Sequence, residues 1–180
     1  MCAMIDGVII MAEWLHRKTT RLPGYDYNKP GAYFLTLCTE NRKCILSRIV
    51  GTVPVSQEGP KTELLPYGRI AEKYLKQLDA FYSHIRVDSF VIMPNHIHIL
   101  LSVIGEEGPV NAKVPAVQNS VISRFVSTFK RFCNKEYGKN IWQGRSYDHV
   151  IRDQGDYDRH LQYIYENPFG WQKDEFYLEE

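Results

Sequence analysis

The chain has 180 residues, enough for one domain with a real core. Hydrophobic residues make up 44% and charged residues 24%, the balance of a soluble globular protein. The net charge of +1 gives no overall pull toward nucleic acid, and the four scattered cysteines (Cys2, Cys38, Cys44, Cys133) form no CxxC pair, so neither a zinc cluster nor a disulfide framework is indicated.

Cysteine usage of this kind suits a reducing cytoplasm. The early apolar run VIIMA is too short to span a membrane and no basic segment precedes it, so neither a membrane anchor nor a signal peptide is expected. Residues 1–20 read as a loose leader, 21–170 as a single domain and 171–180 as an acidic tail. The turn-rich RLPGYDYNKPG (21–31) leads into AYFLTLCT (32–39), an aromatic and β-branched strand. Residues 47–62 hold Gly51, Pro54, Gly59 and Pro60 and read as a loop or irregular hairpin. From Pro66 the period changes: Tyr67, Ile70, Ala71, Tyr74, Leu75, Leu78 and Phe81 recur at helical spacing. VDSFVIM (87–93) and HIHILLSV (96–103) form a hairpin, followed by a loop with Gly105, Gly108, Pro109 and Pro115. Val121, Ile122, Phe125, Phe129, Phe132 and Cys133 draw a second helical stripe, which YGKN ends. SYDHVI (146–151) is a short strand, and GDYDRHLQYIYEN (155–167) a last helix that Pro168 should stop. The order β-α-β-β-α-β with an appended helix is the α+β, ferredoxin-like plan: an antiparallel sheet with helices on one face.

Within PNHIHIL (94–100), His96 and His98 lie two apart, so in a strand both imidazoles share one face while Ile97 and Ile99 take the other. The bland reading is two polar residues on an open sheet face. A zinc site lacks further cysteine or histidine ligands. A His-apolar-His-apolar-His nucleotide hydrolase would need histidine where Leu100 stands. A harder cation such as Mg²⁺ or Mn²⁺ needs the two imidazoles and an oxygen donor, with positions left for a phosphate. In the last helix Tyr163 and Asn167 are four apart on one face, and His160 lies on that face too. If this helix covers the histidine face, Asn167 can complete a metal site and Tyr163 stands beside the phosphate. Tyrosine is a poor nucleophile at its free pKa of about 10, which a metal polarising the phosphoryl group offsets. A phosphotyrosine then keeps the bond energy for rejoining.

MPNHIHILL, IWQGRSYDHVIRD and YIYENP, in this order, resemble the single-tyrosine transposases of the HUH endonuclease superfamily, the REP-associated tyrosine transposases above all. RLPGYDYNKPGAYFLTLCTENR is similar to that family's opening, and the resemblance spans roughly 20–170. It implies a ferredoxin-like fold and a Mg²⁺ or Mn²⁺ ion held by His96, His98 and a polar residue four after the nucleophile. Here these are Asn167 and Tyr163, with His160 or Glu166 as other choices of ligand. The implied reaction cuts single-stranded DNA, leaving a 5′-phosphotyrosine and a free 3′-OH, and rejoins strands by reversal. It also implies recognition of DNA hairpins and a homodimer. The alternative is a non-catalytic, domesticated nucleic-acid-binding module on the same fold, although a binder has no need of all four groups.

Residues 118–152 carry seven basic side chains against two acidic ones. Arg124, Lys130, Arg131 and Lys135 on the second long helix, with Arg145 and Arg152 after it, are candidate phosphate contacts. Trp142 and Tyr147 are candidates for stacking on unpaired bases, with a core role equally open for Trp142.

Overall fold

The computed structural model describes residues 22, 24–51, 59–105 and 120–178. The expected leader (1–20) and most of the 105–115 loop lie outside them. Six strands and three helices run in the order β1 (Gly31–Cys38), β2 (Ser47–Val50), β3 (Lys61–Leu64), α1 (Pro66–Phe81), β4 (Ile85–Ile92), β5 (His96–Val103), α2 (Val121–Tyr137), β6 (Tyr147–Val150) and α3 (Gln154–Gly170). The main sheet has the order β4-β5-β1-β6, with every neighbouring pair antiparallel. That order is the ferredoxin-like topology expected from the sequence. The segment read as a loop or hairpin (47–62) contains β2 and the start of β3, which pair from Ser47↔Leu64 to Val50↔Lys61.

Strand alternation divides the sheet residues between two cores. Tyr33, Leu35 and Leu37 of β1 and Ile97, Ile99 and Leu101 of β5 join α1 and α2 in the larger core. Phe34, Leu100, Val91 and Met93 face the other way and pack on Ile164 of α3. The sheet is therefore covered on both faces, and β5 is buried from His96 to Leu101. Burial of Ile164, 2% exposed, contributes about 1.5–3 kcal/mol to holding α3 there.

The helices begin and end where local chemistry dictates. Pro66 opens α1 with its φ already set. Two residues on, a Cβ at Gly68 would lie 2.0 Å from the Leu46 carbonyl oxygen, so only glycine lets the first turn press on that backbone. Ser120 caps α2 by accepting from Ser123 N, and Gly138, at φ 71°, takes the left-handed turn that ends it. The Asp153 carboxylate caps α3 by accepting from Asp156 N at 2.8 Å.

Pro168 does not stop α3; the helix continues to Gly170. A proline two residues from a helix end removes a single intrahelical hydrogen bond, a cost the packed apolar side of α3 outweighs. The segment read as an acidic tail also differs. Residues 171–178 form a 3-10 turn (Trp171–Lys173) and fold back so that Phe176 is 4% exposed. Among the described residues no helix is long and apolar enough to cross a membrane.

Candidate functional site

The β4–β5 hairpin and β1 build the floor of a pocket between the sheet and α3. Register aligns Val91, His98, Thr36 and Tyr147 across four strands, with Cys38 beside His96. His96 and His98 are 0% exposed, and their rings lie 4.5 Å apart. Each is oriented through Nδ1: His96 Nδ1 lies 2.9 Å from Asn95 Oδ1, and His98 Nδ1 2.9 Å from Thr36 Oγ1. Both Nε2 atoms are buried and make no hydrogen bond.

The roof comes from α3 and the segment after it. The Tyr163 ring stands 5.1 Å from that of His98, and both flank Phe34. Asn167, 4% exposed, lies beside Tyr163 and Asp174, and its Oδ1 makes no hydrogen bond. Asp174 brings a carboxylate oxygen that lies, with the histidine nitrogens, within a 4.8 Å group of possible metal-ligating atoms. Trp171 and Phe176 lean over His96 with ring centroids 6.1 and 4.7 Å away. Arg42 stacks over Phe176 at 5.0 Å and donates to the Glu175 carbonyl, which fastens the segment down.

His96 and His98, each with a buried Nε2 that makes no hydrogen bond, thus group with the Asp174 carboxylate, and Asn167, whose Oδ1 is also buried and unpaired, neighbours Asp174. Buried polar atoms are ordinarily paired, so this concentration of unpaired polar atoms suits a cation. Two imidazoles with carbonyl and carboxylate oxygens make a mixed N/O set appropriate to a divalent metal. The electrostatics agree. Burial holds His96 well below the usual histidine range, helped by the neighbouring His98 and Arg42, and pushes His98 down to about 3, with His160 adding to it. Both imidazoles are therefore neutral and able to ligate at neutral pH. Burial raises the Asp174 carboxyl, against the hydrogen bonds from Phe176 N and Asn167 and the Arg42 charge. Burial also raises the Tyr163 phenol above its ordinary value; the Asp174 charge adds to this and the Asn167 hydrogen bond works against it.

The other candidate ligands lie elsewhere. Glu166 is exposed and accepts from Gln162 Nε2 at 2.6 Å. His160 belongs to a second cluster with His149 and Asp156: His149 Nε2 lies 2.8 Å from Asp156 Oδ2, and His160 Nδ1 2.8 Å from the Asp156 carbonyl. The rings of His149 and His160 stack at 4.6 Å and 20°, and with Asp156 they form a second group of possible metal-ligating atoms within 4.8 Å of one another. Tyr165, 66% exposed, points away from the pocket, as its place about 200° around the helix from Tyr163 requires. Asp174 had no signal in local spacing; it enters the site only because the chain reverses after α3.

The basic candidates are dispersed. Arg124, Arg131 and Lys135 belong to α2, in the layer across the sheet from the histidines. Lys130 Nζ donates to the carbonyls of Gln143, Gly144 and Arg145 at 2.7, 3.4 and 3.3 Å, and burial lowers its pKa to about 8. That ammonium pins the chain ahead of β6. Arg145 and Arg152 are exposed on either side of β6. Trp142 is a core residue at 1% exposure, whereas Tyr147, 41% exposed, lies on the same sheet face as His98.

No protein-family model matches the chain. An uncharacterized protein of Haemophilus influenzae is 30% identical over 178 residues, covering 91% of this chain and 94% of that one. The REP-associated tyrosine transposase of Escherichia coli is 28% identical over 149 residues, 82% of this chain and 73% of the relative. A putative REP-associated tyrosine transposase of H. influenzae is 29% identical over 152 residues, 79% of this chain and 73% of the relative. Among solved structures, a REP-associated tyrosine transposase bound to a REP hairpin matches with a TM-score of 0.56 at 23% identity, over 84% of this chain and 73% of that one, a likeness of fold. With the three motifs in order on a ferredoxin-like sheet, the chain is similar along most of its length to REP-associated tyrosine transposases.

Proposed function

We propose that this transposase-family protein cleaves and rejoins single-stranded DNA through a 5′-phosphotyrosine on Tyr163, with Mg²⁺ or Mn²⁺ and with hairpin DNA as its substrate. The observation that carries the reading is the pocket itself. His96 Nε2, His98 Nε2 and Asn167 Oδ1 are buried without hydrogen bonds beside Asp174, and a phenol stands next to them. His96, His98 and Asn167 would hold the cation, joined by Asp174. When bound, the ion polarises the scissile phosphoryl group and offsets its negative charge.

The chain's own residues do the rest. Phe34, packed against both His98 and Tyr163, fixes the ring of the nucleophile. The Asn167 amide steadies the phenol oxygen and favours its ionised form. The phenol oxygen loses its proton and bonds to phosphorus as the phosphorus–3′-oxygen bond breaks, and the departing 3′ oxygen takes up a proton. Attack by another 3′-OH reverses the step and joins two strands. Because both histidines are fully buried, a strand reaches them only after the 171–176 segment shifts. Tyr147 offers an exposed ring on the same face for a base, and Arg145 and Arg152 offer cations nearby for the backbone. Hairpin recognition draws support from the shared fold of the hairpin-bound relative. A homodimer belongs to the same proposal and is tested by light scattering with and without DNA.

The test is covalent capture. Protein, a single-stranded hairpin oligonucleotide and Mn²⁺ should give an adduct on a denaturing gel, lost in Tyr163→Phe and kept in Tyr165→Phe. An adduct that persists in Tyr163→Phe overturns the nucleophile. Salt-sensitive binding with no adduct in the wild type would point to the binding module instead.

A further inference from the structure

Asn95 lies in the turn between β4 and β5, directly before His96, and is fully buried. Its side-chain amide is held from several sides. Nδ2 donates to the Phe176 carbonyl at 2.7 Å and to the Arg42 carbonyl at 3.2 Å. Carbonyls only accept, so the NH₂ end of the amide must face them and the oxygen end must face away. Oδ1 then meets His96 Nδ1 at 2.9 Å. An amide oxygen also only accepts, so Nδ1 must carry the hydrogen. A neutral imidazole carries one such hydrogen, which leaves Nε2 bare. Nε2 is the atom that is buried without a partner.

The backbone around this amide is itself fixed. The Asn95 carbonyl accepts from Thr39 N at 2.9 Å and from Thr39 Oγ1 at 3.0 Å. Asn41 and Arg42, at φ 54° and 53°, hold a left-handed turn that non-glycine residues rarely adopt, and this turn carries the Arg42 carbonyl to Asn95. His98 has no equivalent constraint. Its Nδ1 faces the Thr36 hydroxyl, which can donate or accept, so either tautomer is compatible with that contact.

We propose that Asn95 is a positioning residue that locks His96 in its Nδ1–H tautomer and so presents the Nε2 lone pair to a divalent cation. The proposal rests on the metal-site reading above. It adds that one amide joins three parts of the chain: the metal-site histidine, the left-handed turn after β1 and the segment that covers the pocket.

The experiment is long-range proton–nitrogen NMR of the imidazoles in the metal-free protein near pH 7.5, with Mn²⁺ affinity measured by calorimetry. Wild type should show His96 with hydrogen on Nδ1 and a bare Nε2. Asn95→Ala should give a mixture of His96 tautomers and bind Mn²⁺ about 10–100-fold more weakly. Asn95→Asp keeps an acceptor beside Nδ1 and should keep the Nδ1–H form. Thr36→Val should leave the His96 signals in place. A protonated Nε2 on His96 in the wild type overturns the proposal and needs no variant to fold. So does an Asn95→Ala protein with unchanged tautomer and unchanged affinity. If the wild type shows the Nδ1–H form, and loses it in Asn95→Ala, yet binds no Mn²⁺, the lock stands and the metal-site reading fails. If Mn²⁺ binds equally to wild type and Asn95→Ala, the metal site stands and the lock fails.

Discussion

Two fully buried neutral histidines make an acid-sensitive fold. For His98 the ordinary pKa of 6.5 falls to about 3 in the folded protein, and His96 falls in the same direction. The unfolded chain therefore binds protons that the native state refuses, and stability drops as pH falls below the unfolded value. The loss is absent above about pH 7.5 and grows by about 1.4 kcal/mol per pH unit for each histidine until the folded pKa is reached. Between pH 8 and pH 5 this amounts to about 2 kcal/mol for His98, with His96 adding in the same direction, against a total stability of about 5–15 kcal/mol for a domain. Asp174, raised by burial, responds in the opposite sense at acid pH, so a single profile is not decisive. The informative comparison is urea denaturation of metal-free wild type and His98→Gln at both pH values. The variant should lose about 2 kcal/mol less than wild type on acidification. Equal losses in the two proteins would refute the argument, because they would mean that His98 is not held neutral by burial.

Three further outcomes follow from particular contacts. Asp174→Asn should abolish most of the rise in melting temperature that Mn²⁺ gives the wild type. Without metal it should be at least as stable, since burial disfavours the charged carboxyl and an amide oxygen can still accept from Phe176 N; a metal-free variant that melts well below wild type contradicts this. Lys130→Met should cost about 1.5–3 kcal/mol through the lost carbonyl contacts, read by chemical denaturation. The salt dependence of DNA binding should not change with it, and a shallower slope would restore Lys130 as a phosphate contact. Gly68→Ala should destabilise by about 1–3 kcal/mol, because its methyl would overlap the Leu46 carbonyl; a melt equal to wild type would show that α1 can move aside.

Much of the frame was legible in one dimension, since period and punctuation are local properties. Alternation in HIHILLSV set Ile97 and Ile99 on the face opposite His96 and His98, and the structure keeps Ile97 and Ile99 in the larger core with Leu100 on the other side. The four-residue step from Tyr163 to Asn167 set phenol and amide on one side of a helix before any fold was known. Pro168 misled because proline reports a missing N–H without saying whether packing compensates for it. The carbonyl contacts of Lys130 were not legible either, because a basic residue on a helix looks the same in sequence whether it meets water, a phosphate or three carbonyls.

By itself, the sequence determined the β-α-β-β-α-β order, the shared face of His96 and His98, and the pairing of Tyr163 with Asn167. Each depends on residues a few positions apart, where backbone geometry leaves little choice. Tertiary structure alone decided that α3 lies over the histidines. It also decided that the chain returns at 171–178 to bring Asp174 beneath Asn167 and Phe176 over His96. The contacts of that segment with the β4–β5 turn join residues about 80 positions apart, as between Asn95 and Phe176. They form because both sheet faces must be buried and each buried polar group must find a partner, conditions that only the folded chain can satisfy.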